Sequence, residues 1–188
     1  MGYLKEGNWI DEWYDTTASK GSFVRKDSSF RSFIKHDGSS PYLAESGRYH
    51  LYLSHACPWA HRVLIFLILK NLTSTISYSY VNPLMLENGW TFESDNEEYG
   101  DPLYHKRFLY ELYLKSTPDY YGRGTVPVLW DKTLHCIVNN ESSDIIRMLN
   151  SEFNDFSSNS IDYYPSHLRD NIDTINQFVY NHINNGVY

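Results

Sequence analysis

The chain has 188 residues, of which 41% are hydrophobic and 16% aromatic, and its formal net charge is −7. This length and composition suffice for one folded domain and part of a second, and they exclude a disordered chain. The acidic balance argues against a nucleic-acid partner. The first residues lack the apolar core of a signal peptide, and no apolar run approaches the roughly 20 residues that span a bilayer. We therefore expect a cytoplasmic protein without a membrane partner.

Residues 1–47 are predicted to form an extended N-terminal arm, because they are polar and rich in Ser, Lys, Asp and Gly. Aromatic side chains interrupt this composition, and we expect them to dock the arm onto a folded domain. These aromatic residues are Trp9, Trp13, Phe23, Phe30 and Phe33. The composition changes after Gly47, where a domain predicted to cover residues 48–150 begins.

A strand–helix–strand unit opens this domain. Residues 49–53 alternate as a strand does, and residues 75–81 predict a second strand. Between them, Pro58 suits the first position of a helix that continues to Lys70. Because that helix is apolar on nearly all sides, we expect it to be deeply buried. The resulting βαβ unit places Cys57 at the carboxyl end of its first strand, where open α/β sheets bind ligands.

The remaining elements complete a thioredoxin-like order of βαβ, helix, two strands and helix. They are, in chain order, a helix over 103–115, strands over 126–130 and 134–138, a helix over 144–150, a linker over 151–163 and a helix from Pro165 to about residue 184. The predicted fold is therefore an α/β thioredoxin-like domain. Residues 164–188 are interpreted as the first helix of an incomplete all-α domain.

Cys57 is the candidate nucleophile. A thiol reacts as its thiolate, and the start of a helix stabilises negative charge. His61 and Arg62 add positive charge nearby, although a buried and inert cysteine is the alternative. Ala60 stands where dithiol oxidoreductases carry a second cysteine, so an external thiol would have to resolve a mixed disulfide on Cys57. This favours a monothiol mechanism that uses glutathione over a dithiol mechanism.

Neither a disulfide nor a metal site is favoured by the few Cys and His residues near the nucleophile. The only other cysteine, Cys136, lies in an apolar strand and is expected to belong to the core, although a single disulfide with Cys57 is conceivable. His50, His55 and His61 lie close to Cys57 in the sequence, but a zinc site needs four converging ligands. We therefore expect no metal.

Two further signals suit a bound peptide. A cis bond between Val126 and Pro127 would expose the backbone N–H and C=O of Val126 to an extended cysteinyl peptide such as glutathione, although most X–Pro bonds are trans. Ser142, at or near a helix N-cap, leaves N–H groups for a carboxylate, and Glu141 suits an α-amino group. The alternative for this pair is an ordinary helix cap.

These signals and their flanking sequences resemble the glutathionyl-hydroquinone reductases, which are omega-like glutathione transferases known as the xi class. The most specific blocks are CPWAHR at 57–62 and NESS at 140–143. The other matching segments are residues 23–33, 47–52, 89–90, 125–131, 139–147 and 183–188.

The resemblance implies a function for each matching residue. Cys57 forms the mixed disulfide, and the glutathione site comprises Trp90, Arg123, Val126, Pro127, Glu141 and Ser142. Tyr188 matches a tyrosine that reaches the substrate site. The implied activity is reduction of glutathionyl-hydroquinones or related mixed disulfides. Its partners are glutathione as co-substrate and a glutathionylated aromatic or disulfide substrate, without a metal.

The family's chains are longer and carry a large all-helical second domain, on which their dimer contacts partly depend. A homodimer is therefore expected of a full-length form. We expect the present sequence to be a fragment, a truncated gene model or a degenerate copy. An inactive glutathione-binding remnant or an interaction module is the alternative to an active enzyme.

Overall fold

The computed structural model describes residues 2–12 and 27–186, which fall into two compact units. The first unit holds residues 2–12 and 28–160, and the second holds residue 27 and residues 161–186. The boundary at residue 160 falls inside the predicted linker. The first unit opens with a hairpin of β1 (Tyr3–Lys5) and β2 (Asn8–Ile10), which pair antiparallel.

A four-stranded sheet forms the centre of the first unit, in the order β4-β3-β5-β6. Its strands are β3 (Tyr49–Leu53), β4 (Ser77–Tyr80), β5 (Val128–Asp131) and β6 (Cys136–Asn139). β4 is parallel to β3, whereas β5 and β6 are antiparallel to their neighbours. The helices of this unit are α1 (Pro58–Leu69), α2 (Tyr110–Ser116) and α3 (Ser142–Ser151). This arrangement confirms the predicted thioredoxin-like order.

Helix α1 begins at the predicted proline, but the expectation that it is deeply buried is wrong. Ala60, Val63 and Leu67 are buried, whereas Ile65 is 42% and Ile68 54% exposed. The buried side chains belong to the unit's hydrophobic core, and α1 also packs against α3. A helix with apolar residues on all its faces is therefore not necessarily buried on all its faces.

Helix α2 starts seven residues later than the sequence predicts, at Tyr110. The carboxylate of Asp101 accepts hydrogen bonds from the backbone N–H groups of residues 103, 104 and 106 at 3.0–3.2 Å. This side chain stabilises a turn in place of the first helical turns. His105, with φ of 54°, breaks the helical backbone at the same point.

Strand β6 is likewise displaced by a turn, because it starts at Cys136 instead of residue 134. The carboxylate of Asp131 accepts hydrogen bonds from the N–H groups of Thr133 and Leu134 at 2.8 and 3.1 Å. His135 follows with φ of 54°, so regular pairing resumes only after it.

Residues 28–34 of the predicted arm lie along β6 at the edge of the sheet. The N–H of Ser32 donates to the carbonyl of Val138 at 3.1 Å, and the N–H of Asn140 donates to the carbonyl of Phe30 at 3.1 Å. The ring of Phe30 lies 5.5 Å from the ring of Tyr120. The arm therefore covers the β6 edge, where unpaired backbone groups would otherwise face solvent.

The aromatic residues of the arm dock only in part. Trp9 stacks on Tyr110 with a centroid distance of 4.8 Å, and Phe30 packs against the core. Phe33, in contrast, is 37% exposed. The predictions for Trp13 and Phe23 lie outside the described residues.

The second unit is helical, as predicted from Pro165 onward. A 3-10 turn (Ser166–Leu168) leads into α4 (Arg169–Val179), and a π-helical turn (Tyr180–Asn184) follows. The apolar side chains of Ile175 and Phe178 are 62% and 59% exposed. No helix within residues 2–12 and 27–186 combines the length and apolar character needed to cross a membrane.

His50 is a buried histidine in the central strand β3. Its Nδ1 lies 2.8 Å from Ser77 Oγ and its Nε2 lies 3.0 Å from Ser79 Oγ. Burial lowers the pKa of His50 from 6.5 to about 4. The folded protein therefore holds this ring neutral at neutral pH.

We predict that protonation of His50 destabilises the fold between about pH 6.5 and about pH 4. The stabilisation is fully present above the unfolded pKa and is lost as the pH falls, by an amount on the order of 2–3 kcal/mol. Urea unfolding across this range should show a smaller pH dependence for His50→Gln than for the parent. An exposed-histidine control, His61→Gln, should follow the parent; parallel curves for His50→Gln and the parent would refute the prediction.

Candidate active site

The turn between β3 and α1 positions the thiol of Cys57. The hydroxyl of Ser54 accepts a hydrogen bond from the N–H of Ala56 at 3.2 Å, and the carbonyl of Ser54 accepts from the N–H of Cys57 at 3.3 Å. Cys57 is the N-cap of α1, with Pro58 as the first helical residue. Its half-buried side chain therefore lies at the positive end of the helix dipole, where negative charge is stabilised.

The loop that precedes β5 approaches this thiol. The Val126–Pro127 peptide bond is cis, the less common of the two forms that the sequence left open. Cys57 Sγ lies 3.5 Å from the carbonyl oxygen of Val126 and donates a hydrogen bond to it. The structure thus brings Cys57, Val126 and Pro127 together at one end of the sheet.

The buried hydroxyl of Tyr113 forms hydrogen bonds with Thr125, the residue before Val126. Tyr113 of α2 donates to the carbonyl of Thr125 at 2.7 Å and accepts from the N–H of Thr125 at 3.1 Å. The same hydroxyl accepts from Asn140 Nδ2 at 3.1 Å. Burial raises the pKa of Tyr113, so its hydroxyl keeps its proton. No local sequence pattern points to Tyr113, because the partners of its hydroxyl come from distant segments.

Glu141 is the N-cap of α3, and Ser142 is the first helical residue. Glu141 Oε1 accepts from the N–H and the hydroxyl of Ser143 at 3.1 and 3.0 Å, and Oε2 accepts from the hydroxyl of Ser28 at 3.0 Å. The carboxylate is therefore an ordinary helix cap and also a negative group at the domain surface. A carboxylate has about four lone-pair positions, so about one remains for a further donor.

Arg62 joins α1 to the start of α3. Its Nε and Nη2 donate to the hydroxyl oxygen of Ser142 at 3.0 and 2.7 Å, and Nη2 lies 3.6 Å from Glu141 Oε1. The guanidinium lies over the ring of Trp59 at 4.8 Å. Burial lowers the pKa of Arg62, and the charge of Glu141 opposes that shift. The charge of Arg62 near Cys57 is evident from the sequence, whereas its contact with Ser142 is not.

The two other residues proposed for the glutathione site, Trp90 and Arg123, make different contacts. Trp90 is half-buried against the core, and its carbonyl accepts a hydrogen bond from Leu109 at 2.9 Å. Arg123 donates to the carbonyls of Gly2 and Glu12 at 3.0 and 3.2 Å, so its side chain is directed at the N-terminal hairpin. Tyr188 lies outside the described residues.

The remaining candidates do not form a competing centre. Both cysteines are free thiols, and burial raises the pKa of Cys136, which disfavours its thiolate. Within the described parts of the chain, no three His, Cys, Asp or Glu side chains form a group that could hold a metal ion. A surface cavity of about 510 Å³ lies beyond β4, and its lining includes Tyr78, Glu98 and Lys106 but not Cys57.

Comparison with known proteins identifies the family. The family described as "Glutathione S-transferase, N-terminal domain" matches residues 56–152, just over half of the chain. The chain belongs to the glutathione S-transferase family. The matching range contains Cys57, the cis bond and the start of α3.

Two similar proteins of known name are glutathionyl-hydroquinone reductases. Glutathionyl-hydroquinone reductase YqjG of Escherichia coli is 52% identical over 100% of this chain, which covers 60% of the relative. Glutathionyl-hydroquinone reductase PcpF of Sphingobium chlorophenolicum is 50% identical over 100% of the chain and 59% of the relative. These matches confirm the resemblance inferred from the sequence. The chain spans about 60% of the length of these relatives.

Solved structures agree with this assignment. The glutathione-bound structure of E. coli YqjG superposes with a TM-score of 0.86 at 47% identity, covering 100% of this chain and 57% of that one. The xi-class transferase from Natrialba magadii gives a TM-score of 0.91 at 43% identity, covering 100% and 58%.

We predict that Tyr113→Phe lowers the free energy of unfolding by about 1 kcal/mol, because removal of the hydroxyl takes a hydrogen-bond partner from the buried side chain of Asn140 and from both backbone groups of Thr125. The control is Tyr78→Phe, since Tyr78 is 38% exposed, and it should change stability by less than about 0.5 kcal/mol. Urea unfolding of both variants measures the difference. Equal effects of the two substitutions would contradict the prediction.

Proposed function

We propose that this chain is the glutathione-binding part of a transferase that uses Cys57 as its single nucleophile. Its reaction is reduction of glutathionyl-hydroquinones or related mixed disulfides. The observation that carries the proposal is the position of Cys57 Sγ at the start of α1, 3.5 Å from the carbonyl of Val126 beside the cis bond. That position combines a site for a thiolate with a backbone edge for an extended cysteinyl peptide.

The first half-reaction forms a mixed disulfide. The thiolate of Cys57 attacks the sulfur of the glutathionyl group, and the bond from that sulfur to the aromatic carbon breaks. The aromatic carbon takes the electron pair and a proton, which releases the hydroquinone. With a mixed-disulfide substrate, the other thiolate leaves instead. Cys57 is then bonded to glutathione in either case.

The second half-reaction needs a thiol from outside the chain. A second glutathione thiolate attacks the glutathione sulfur of the mixed disulfide, which gives oxidised glutathione and restores the Cys57 thiolate. Ala60 is fully buried and offers no thiol, and the sulfur of Cys136 lies 3.8 Å from the hydroxyl of Tyr42 in another part of the sheet. These positions support a monothiol mechanism.

The start of α3 suits the γ-glutamyl end of glutathione. Glu141 would accept hydrogen bonds from the α-ammonium group, and Ser142 with the first N–H of α3 would donate to the α-carboxylate. Trp90 and Arg123 belong to the proposed site by their match to the family, and Tyr188 to the proposed substrate site on the same ground. The named activity of YqjG and PcpF and the glutathione bound to YqjG support this choice of ligand and substrate class.

The proposal extends to a full-length homodimer in the cytoplasm. A second candidate is a glutathione-binding remnant or interaction module without turnover. The exposed Ile65 and Ile68 of α1 favour this second candidate, because exposed apolar side chains on one helix face are typical of a surface that binds another protein segment.

The test is the intact mass of the 188-residue chain after incubation with oxidised glutathione or a glutathionyl-hydroquinone. We predict one glutathione adduct on the parent, none on Cys57→Ser, and loss of the adduct when reduced glutathione is added. Cys136→Ser is the matched control and should form the adduct as the parent does. A folded parent that forms no adduct would exclude the catalytic proposal and leave the remnant.

A further inference from the structure

The N-terminal hairpin contacts both loops that carry the proposed residues Trp90 and Arg123. Leu4 of β1 pairs with Gly122 through two backbone hydrogen bonds of 2.7 and 3.0 Å. Arg123 donates to the carbonyl of Gly2 at 3.0 Å. Because Leu4 is also fully buried, these contacts anchor the hairpin to the loop that leads to the cis bond.

Trp9 of β2 contacts the other loop at the turn directly before Trp90. Its indole Nε1–H donates to the carbonyl of Glu87 at 2.9 Å. The N–H of Gly89 donates to the carbonyl of Leu86 at 2.9 Å, which closes the turn. Gly89 has a φ of 70°, and a Cβ at this position would lie 2.9 Å from the indole ring of Trp9. Glycine therefore allows the turn and the ring to approach each other closely.

The same indole ring packs against the start of α2. Trp9 stacks on Tyr110 with a centroid distance of 4.8 Å, and Tyr110 stacks on Phe108 at 5.4 Å. Leu109, which lies between these two residues in the chain, donates its N–H to the carbonyl of Trp90 at 2.9 Å. The residue before α2 therefore bonds Trp90 directly, and Trp9 joins α2 to the turn that precedes Trp90.

The loop with Trp90 leaves the sheet at the same edge as the turn with Cys57. Strands β3 and β4 are parallel, so their carboxyl ends lie at one edge. The N–H of Val81, directly after β4, donates to the carbonyl of Leu53 at the end of β3 at 2.9 Å. The two connecting segments therefore begin side by side, and a change in the loop after β4 can reach the candidate site.

We propose that Trp9 is a positioning residue that fixes the turn before Trp90 and thereby preorganises Trp90 for glutathione. This inference rests on the proposed function, in which Trp90 belongs to the glutathione site. A loop that is ordered before the ligand arrives does not lose that freedom on binding, so the ligand binds more tightly. Trp9 acts through the loop and not on the reacting sulfur, because its contacts are with Glu87, Gly89 and Tyr110.

The test is the rate of adduct formation on the 188-residue chain at increasing concentrations of oxidised glutathione, followed by intact mass. We expect Trp9→Leu to lower the second-order rate constant at low concentration about tenfold and to leave the maximal rate within about twofold of the parent. The low-concentration constant includes binding, whereas the maximal rate reports the step at sulfur after binding. An unchanged low-concentration constant in folded Trp9→Leu would overturn the inference.

A double-mutant cycle with Trp90 shows whether Trp9 acts through that residue. In a Trp90→Ala background, we expect Trp9→Leu to change the low-concentration rate constant by less than about twofold, because the side chain that it positions is gone. This constant is measurable even where the site no longer saturates. A tenfold loss in both backgrounds would show that Trp9 does not act through Trp90, and the inference would be wrong.

The matched control is Ile34→Ala. Ile34 also belongs to the arm, but it is fully buried and its N–H is bonded to the sulfur of Met148 in α3 at 3.1 Å. Its truncation destabilises the same unit and leaves the indole of Trp9 in place, so the rate constant should stay within about twofold of the parent. If Ile34→Ala reproduces the loss seen with Trp9→Leu, the loss is an effect of general destabilisation and the inference fails.

Trp9→Phe remains informative if Trp9→Leu fails to fold. It keeps a ring to stack on Tyr110 but lacks the N–H that bonds Glu87, so we expect a loss of about threefold that disappears in the Trp90→Ala background. In that case, equal rate constants for Trp9→Phe and the parent overturn the inference. A folded parent that forms no adduct removes the proposed function together with the inference. A parent that forms the adduct, with Trp9 variants that react as it does, removes the inference alone.

Discussion

One buried hydroxyl, that of Tyr113, forms hydrogen bonds with two of the segments from which the candidate site is built. It bonds both backbone groups of Thr125, directly before the cis bond, and the side chain of Asn140, directly before α3. Asn140 in turn accepts from the N–H of Phe30, so the arm joins the same network. Because the Tyr113 hydroxyl and the Asn140 side chain are buried, breaking their hydrogen bonds costs stability, and these bonds therefore stabilise the position of the loop facing Cys57 relative to the start of α3.

Side-chain hydrogen bonds also stabilise the turns near the candidate site. Ser54 holds the turn before Cys57, and Glu141 caps α3 with its own side chain. Such local bonds stabilise a short irregular segment without a partner from far away.

The sequence was sufficient for the order of the elements along the chain and for the start of α1 at Pro58, because each rests on local chemistry or on a family motif; it left the form of the Val126–Pro127 bond open. The sequence was not sufficient for features that depend on tertiary contacts. Periodicity does not tell which faces of an apolar helix are covered, so the exposure of Ile65 and Ile68 was missed. The late start of α2 depends on one aspartate that caps three N–H groups. The contact of Arg62 depends on α3 lying beside α1, which no local pattern encodes.

The burial of Ala60 in the first turn of α1 restricts the routes by which a second thiol can reach the sulfur of Cys57. Ala60 faces the core and is 0% exposed, so a resolving group at this position has no space beyond a methyl group without displacing core side chains. Cys57, one turn earlier, is only half-buried, so its sulfur is approached from the surface. In the proposed mechanism, the first glutathionyl group would be held along Val126, and the second thiol would approach Cys57 from solvent. A site that binds the first peptide by its backbone and its γ-glutamyl end would leave the sulfur accessible to the second thiol.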